Sequence, residues 1–119
     1  VYIEDVVDAT ILGIEKEEAN GQIFNVGSGI ATTVLDVANT LKRLYNSEIN
    51  LTVSGKFRLG DIRHNFADLS KSKDLLGFTP KYNFERGITE FVNWVKTQEV
   101  MEDKYEKSLQ QLKNKGLIK

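Results

Sequence analysis

The sequence of 119 residues contains no cysteine, and this absence excludes several kinds of chemistry. Disulfides, thiol catalysis and cysteine-ligated zinc all need that residue, and its absence is compatible with a reducing, cytoplasmic location. A single histidine, His64, also excludes a multi-histidine metal site. A magnesium or calcium site made only of carboxylates is not excluded, but the sequence lacks the residue spacing of a calcium-binding loop. We therefore predict no metal site.

The sequence also lacks an excess of charge and any long apolar run. Lys and Arg together number 16, and Asp and Glu number 17, so no global field attracts nucleic acid or an anionic membrane. No apolar run approaches the about 18 residues of a membrane span, and no signal-peptide pattern occurs. With 40% hydrophobic and 28% charged residues, the composition is that of one soluble globular domain with a modest core.

The start of the sequence indicates a larger parent. Position 1 is valine, and the only methionine is Met101. The opening Val1-Tyr2-Ile3 has the pattern of the end of a strand. We therefore expect the sequence to be a piece of a longer protein.

Hydrophobic spacing predicts a mixed α/β fold in which helices pack with a few short strands. On the first helix, Ile3, Val7, Ile11 and Ile14 share one face. The expected helices cover residues 4–18, 34–45, 71–76 and 84–96, and the expected strands cover residues 22–26 and 51–53. Thr32-Thr33, Ser70 and Asn83 are the expected helix caps.

The last part of the sequence is more highly charged than the rest. Met101, Tyr105, Leu109 and Leu112 recur at helical spacing there. We expect an amphipathic helix docked on the body or on a neighbouring chain. The predicted organisation is therefore a lobe over residues 1–98 and a charged helix over residues 99–119.

A glycine-rich turn, Gly27-Ser28-Gly29, follows the first predicted strand and precedes a helix. The dinucleotide-binding fingerprint G-x-G-x-x-G requires a third glycine, but Thr32 occupies that position. We therefore interpret this segment as a tight turn and predict no cofactor-binding residue in it.

The segment from Arg58 to Arg63 is the strongest candidate for a binding site. The planar guanidinium of arginine matches phosphate oxygens, and two arginines can hold a diphosphate. Between them, Asp61 can accept hydrogen bonds from a sugar diol, and Gly60 allows a tight turn. The alternative is a plain surface loop in which Arg58 and Arg63 pair with Asp61 and Asp68.

Five short motifs and the helix bearing Phe91 and Trp94 carry a family resemblance, which covers about residues 1–96. Through these motifs and their order, the sequence resembles the C-terminal third of NAD-dependent nucleotide-sugar epimerases and dehydratases. These enzymes belong to the extended short-chain dehydrogenase/reductase family, and the resemblance is to UDP-glucose 4-epimerase-like members in particular. The motifs are Val1-Tyr2-Ile3-Glu4-Asp5-Val6-Val7, Phe24-Asn25-Val26-Gly27-Ser28-Gly29, Arg58-Leu59-Gly60-Asp61, Ala67-Asp68-Leu69-Ser70-Lys71 and Leu76-Gly77-Phe78-Thr79-Pro80.

The resemblance implies roles for individual residues. Arg58 matches the family arginine that contacts the diphosphate, and Asp61 matches the aspartate that binds the ribose. Arg63 matches a position that is often basic, so we include it among the expected substrate-binding residues. Asn25 is expected to be a buried polar anchor. No role is transferred to Asn65, because some epimerases have an aromatic residue there.

The resemblance also implies what this segment lacks. The family reaction uses a Tyr-x-x-x-Lys pair and NAD bound by an N-terminal Rossmann domain, with hydride transfer from the sugar C4. None of the four tyrosines here has a lysine four residues later. We therefore expect no catalytic residue and no bound cofactor, and we expect the segment alone to be inactive.

The expected partners are a nucleotide sugar, the missing Rossmann domain and further copies of the chain. Two alternatives belong to other functional classes. One is a non-enzymatic nucleotide-binding or structural module that kept this lobe and lost the Rossmann half. The other is a helical protein-interaction domain that uses the terminal helix.

Overall fold

The computed structural model describes residues 1–99 and 102–118, and it shows a small helical lobe. A single 3₁₀ turn, Glu17–Ala19, follows the first helix. The α-helices are α1 (Ile3–Glu15), α2 (Val34–Leu44), α3 (Ser70–Leu76), α4 (Phe84–Val95) and α5 (Tyr105–Asn114). The helices predicted within residues 1–98 are thus confirmed, with small shifts at their ends. No helix in the described ranges is both long and apolar enough to cross a membrane.

Two of the predicted helix caps are present. The Thr33 hydroxyl accepts a hydrogen bond from the Asp36 N–H at 3.0 Å, and the Asp36 carboxylate accepts one from the Thr33 N–H at 3.0 Å. This reciprocal capping box fixes the start of α2. At α4, the Asn83 side chain accepts a hydrogen bond from the Arg86 N–H at 2.8 Å.

The third predicted cap is wrong. Ser70 is the first residue of α3, and its own N–H and hydroxyl donate to the Asp68 carboxylate at 2.9 and 2.7 Å. Asp68 therefore organises the start of α3, because its carboxylate accepts both hydrogen bonds that Ser70 donates.

The core lies where α1, the 3₁₀ turn and α3 meet. Ala9, Leu76 and Phe78 are buried there, and four half-buried residues pack against them: Leu12, Ala19, Phe24 and Val26. Gly77 ends α3 in the left-handed conformation (φ 67°), and the Phe78 N–H returns to the Ser72 carbonyl at 3.1 Å. This turn directs Phe78 into the core, where burying such a ring contributes roughly 2–3 kcal/mol. Beside the core, α2 packs on α4.

The predicted strands do not form in the described part of the chain, so the mixed α/β class is not confirmed. The side chains of residues 22–26 do alternate as predicted: Phe24 and Val26 face the core, whereas Ile23 is 86% exposed. A strand also needs a neighbouring backbone to pair with. In residues 1–99 and 102–118, neither 22–26 nor 51–53 takes part in β-pairing, and the β-pairing found there is one antiparallel bridge, Arg58 to Ile118.

The terminal helix forms but is shorter than predicted. It covers Tyr105–Asn114, and Met101 lies outside the described residues. Within those residues α5 packs on no other helix, contrary to the expectation that it docks on the helical body. Instead, the Leu117 carbonyl just beyond α5 accepts a hydrogen bond from the Leu59 N–H at 3.0 Å. The tail therefore contacts the segment that carries the candidate site.

Candidate functional site

The arginine loop, which we define as residues 55–64, places Arg58 beside Asp61. The Asp61 N–H donates to the Arg58 carbonyl at 3.2 Å and closes a turn, and Gly60 occupies the left-handed region at φ 90°. A glycine suits this conformation because it has no Cβ to clash with the backbone. The Arg58 Nε then donates to the Asp61 carboxylate at 3.0 Å. The sequence thus brings a guanidinium and a carboxylate together on one exposed turn.

This ion pair is open to solvent and therefore weak. The side chains of Arg58 and Asp61 are 63% and 51% exposed, and such pairs contribute about 0–1 kcal/mol. Only Nε of the guanidinium is engaged, and its two terminal nitrogens make no hydrogen bond within the described part of the chain. Arg58 can therefore turn toward an anionic ligand at little cost, which leaves Asp61 available as an acceptor.

The alternative interpretation, a plain surface loop in which both arginines pair with aspartates, matches the structure for one of the two arginines. Arg58 pairs with Asp61, as that alternative expects, but Asp68 accepts its hydrogen bonds from Ser70. These hydrogen bonds lower the pKa of the Asp68 carboxyl below the ordinary aspartate value. Among the described residues Arg63 makes no ion pair with a carboxylate. Arg63 is exposed, two residues beyond Asp61.

The residues that directly follow the arginine loop in the sequence line a cleft of about 1140 Å³. Its walls come from the start of α1, the turn at Gly27-Ser28-Gly29, the segment Asn65-Phe66-Ala67 and α4. Phe66 and Trp94 on these walls are 65% and 58% exposed. None of the three predicted substrate-binding residues lines the cleft. The structure therefore presents two separate surfaces, a charged loop and a cleft with a mixed polar and apolar lining.

Two glycines allow the close contacts that shape this cleft. A Cβ at Gly27 would lie 3.0 Å from the Cβ of Ala67, and one at Gly87 would lie 3.2 Å from the ring of Tyr2. Close to Gly27, the Asn25 amide donates to the Asp68 carbonyl at 3.3 Å. Asn25 thus makes the anchoring contact that was expected of it, although its side chain is exposed rather than buried.

The glycine turn does not fit NAD. Gly27 packs on Ala67, a Cβ at Gly29 would lie 3.3 Å from Leu69, and the Ser28 hydroxyl accepts a hydrogen bond from the Ile30 N–H at 3.3 Å. The glycines therefore serve packing within the lobe. Moreover, α2 does not begin at this turn but at Val34. A dinucleotide-binding loop instead opens directly onto a helix N-terminus, which holds the diphosphate.

The sequence did not reveal the role of Asp5. This residue is 1% exposed, and its carboxylate accepts hydrogen bonds from the Lys81 N–H at 2.8 Å and the Tyr82 N–H at 3.2 Å. Asp5 therefore fixes the segment after Pro80 against α1. A signal was present, because Asp5 precedes Ala9 and Leu12 by four and seven residues and so shares their helical face.

The face of α1 identified by its apolar spacing is exposed. Its four residues range from 45% exposed at Ile11 to 80% exposed at Ile14, whereas Asp5 and Ala9 are buried. The regular apolar spacing thus marks a surface that no described residue covers, and the core uses the other side of the helix. An uncovered apolar stripe of this kind is typical of an interaction surface.

Comparison with known proteins gives a consistent set of relatives. The chain is 40% identical over 95 residues to dTDP-L-rhamnose 4-epimerase of Burkholderia thailandensis, covering 80% of this chain and 26% of that enzyme. UDP-glucose 4-epimerase of Lacticaseibacillus casei is 31% identical over 97 residues, covering 79% of this chain and 29% of that enzyme. UDP-N-acetyl-alpha-D-glucosaminuronate decarboxylase of Bacillus cytotoxicus is 29% identical over 98 residues, covering 78% and 30%.

These relatives confirm the predicted resemblance to nucleotide-sugar epimerases and dehydratases. The chain spans between about a quarter and a third of their length. No family model and no solved structure matches the chain.

Proposed function

From the premise that this chain is a homologue of nucleotide-sugar epimerases and related enzymes, we propose that it is the nucleotide-sugar-binding lobe of a cytoplasmic, NAD-dependent enzyme of this kind. We propose that the full-length enzyme is UDP-glucose 4-epimerase-like and acts on a UDP- or dTDP-sugar. The substrate classes are those named for the relatives, which are longer than this chain.

The observation that carries this proposal is the pairing of Arg58 with Asp61 on an exposed glycine turn. In the proposed complex the guanidinium of Arg58 turns to the diphosphate and makes charge-assisted hydrogen bonds. The Asp61 carboxylate, released from Arg58, accepts hydrogen bonds from the ribose hydroxyls. Arg63 adds positive charge two residues further along. The exposure of all three residues leaves them accessible to a nucleotide.

The proposed lobe binds substrate but performs no chemistry by itself. In the full-length enzyme, NAD bound by the Rossmann domain would accept the hydride from the sugar. A tyrosine–lysine pair outside this segment would provide the acid–base chemistry. The residues here contribute orientation: they hold the nucleotide end of the substrate while the sugar faces the rest of the enzyme. Binding energy from such a non-reacting part of the substrate positions the reacting part.

The uncovered apolar surfaces support a further element of the proposal, a large partner. The apolar stripe on α1, Ile23, and Phe66 and Trp94 on the cleft walls are all exposed, and uncovered apolar surface favours association. We propose that the Rossmann domain of the parent covers them. In its absence the chain should associate with itself. Sedimentation that shows a stable monomer across a wide concentration range would count against this element.

The proposal is tested by comparing the affinity for UDP of two variants, Arg58→Ala and Lys56→Ala. Loss of a charge-assisted hydrogen bond costs roughly 1.5–3 kcal/mol, so Arg58→Ala should weaken UDP binding about 10- to 100-fold. Lys56 carries the same charge two residues earlier on the same exposed loop, so its removal controls for general electrostatic attraction. Equal losses in the two variants, measured by calorimetry, would contradict a specific role for Arg58.

A further inference from the structure

The arginine loop has few internal constraints. Every residue from Glu48 to Phe66 is exposed, so no side chain in this stretch anchors it in a core. Within the described parts of the chain, its backbone makes two local hydrogen bonds, from Asp61 to the Arg58 carbonyl and from Lys56 to the Ser54 hydroxyl, and one long-range hydrogen bond, from Leu59 to Leu117. The contact with Leu117 therefore has a large share in fixing where the loop lies.

The tail that provides this contact is itself directed by the end of α5. Gly116 takes the left-handed conformation (φ 66°), and its N–H donates to the Lys113 carbonyl at 2.9 Å. The Leu117 N–H donates back to the Leu112 carbonyl at 2.9 Å. This glycine-terminated helix end reverses the chain. It lays Ile118 antiparallel to Arg58 and leaves the Ile118 side chain half-buried.

We propose that α5 and the tail to Ile118 form a tether that holds the arginine loop in its binding geometry. The helix packs on none of the other described helices, so it adds little to the helical body, whereas its tail bonds next to Arg58. The tether lies outside the motifs that carry the family resemblance, which cover about residues 1–96. Its effect on ligand binding rests on the proposed function, but its effect on loop order does not.

The tether acts by reducing the entropy that the loop loses when a ligand binds. An ordered loop holds Arg58 and Asp61 near the positions they need, whereas a loose loop must be ordered at the expense of affinity. Releasing the tether should therefore weaken binding without removing any contact to the ligand. The expected loss of UDP affinity is roughly three- to tenfold, smaller than that caused by losing Arg58 itself.

A test in the full chain uses Gly116→Val, with Gly21→Val as the matched control. Both glycines have nearly the same left-handed φ, 66° and 68°, and neither has another group within 4 Å of a built Cβ. Valine is strained at both positions, but only Gly116 directs the tail. Gly116→Val should abolish hydrogen-exchange protection of the Leu59 amide and weaken UDP binding. Gly21→Val should leave both unchanged.

Three outcomes would overturn the tether. The first is a Leu59 amide that exchanges freely in the unmodified chain, and the second is protection that survives in Gly116→Val. The third is an equal loss of UDP affinity in both variants. If the unmodified chain does not bind UDP at all, the proposed function fails, and the effect on ligand binding fails with it. Leu59 protection would still show whether the tether exists.

Discussion

The helical body and the arginine loop of this chain are held in place by very different means. In the body, Phe78 and Val92 are almost completely buried, and Asp5 ties α1 to the segment after Pro80 through two hydrogen bonds. In the loop every side chain is exposed, and one long-range backbone hydrogen bond crosses to the tail. The residues with the chemistry to bind a nucleotide thus lie in the least constrained part of the structure.

This contrast indicates that the helical body provides stability and that the loop provides binding. The buried elements make the helical body rigid, whereas the exposed side chains of the loop stay adjustable. A weak ion pair such as that of Arg58 and Asp61 can rearrange around a ligand, whereas a buried hydrogen-bonded carboxylate such as Asp5 cannot. We therefore expect substitutions in the body to change stability and substitutions in the loop to change binding.

The largest effect on stability is expected from Asp5→Ala. This change leaves the N–H groups of Lys81 and Tyr82 without their acceptor in a buried site, which should cost about 3 kcal/mol. Asp8→Ala is the control, because Asp8 is also in α1 but pairs with the exposed Lys81 side chain. The control should lose much less stability than Asp5→Ala, because an exposed ion pair contributes little. Urea denaturation of both variants measures the difference, and equal losses would contradict the role of Asp5.

An intermediate effect is expected at Gly27, which packs on Ala67, a residue of the segment that follows the arginine loop. A methyl group there would lie 3.0 Å from the Ala67 Cβ, so Gly27→Ala should destabilise the chain by about 1–2 kcal/mol. Gly13 in α1 has nothing within 4 Å of a built Cβ, so Gly13→Ala should instead stabilise it by about 0.5–1 kcal/mol. Thermal unfolding of both variants would give shifts of opposite sign. Shifts of the same sign would show that the packing at Gly27 is not tight.

The smallest effect is a pH dependence at the start of α3. Hydrogen bonds from the Ser70 N–H and hydroxyl lower the pKa of Asp68 in the folded chain. The stability they provide is present above the ordinary aspartate pKa and is lost as the pH falls through the lowered value. Asp68→Asn should therefore differ from the unmodified chain at pH 7 and converge with it in acid. Urea titrations from pH 7 to pH 3 test this, and a constant offset would contradict it.

The elements that were predicted correctly depend on local signals. The start of α2 was foreseen because Thr33 can cap a helix, and α4 was foreseen because Asn83 precedes a clear apolar period. The strands at 22–26 and 51–53 were not borne out, since a strand depends on a distant backbone partner. The apolar stripe of α1 was recognised, but spacing alone does not say what covers it.

The candidate site was foreseen by residue type and only partly by arrangement. The pairing of Arg58 with Asp61 follows from their spacing across a glycine turn. The contact of Leu59 with Leu117 joins positions 58 residues apart, and no local sequence pattern predicts it. The anchoring role of Asp5 was hidden for the same reason, because its partners lie in a loop more than 70 residues later.

The most direct test of the central claim is a nuclear magnetic resonance titration of this chain with UDP and, separately, with NAD. If the arginine loop is a nucleotide-binding site, UDP shifts the resonances of Arg58, Asp61 and Arg63, and NAD leaves those of the glycine turn at residues 27–29 unchanged. Shifts at the glycine turn with NAD, or no response of the three loop residues to UDP, would contradict the claim.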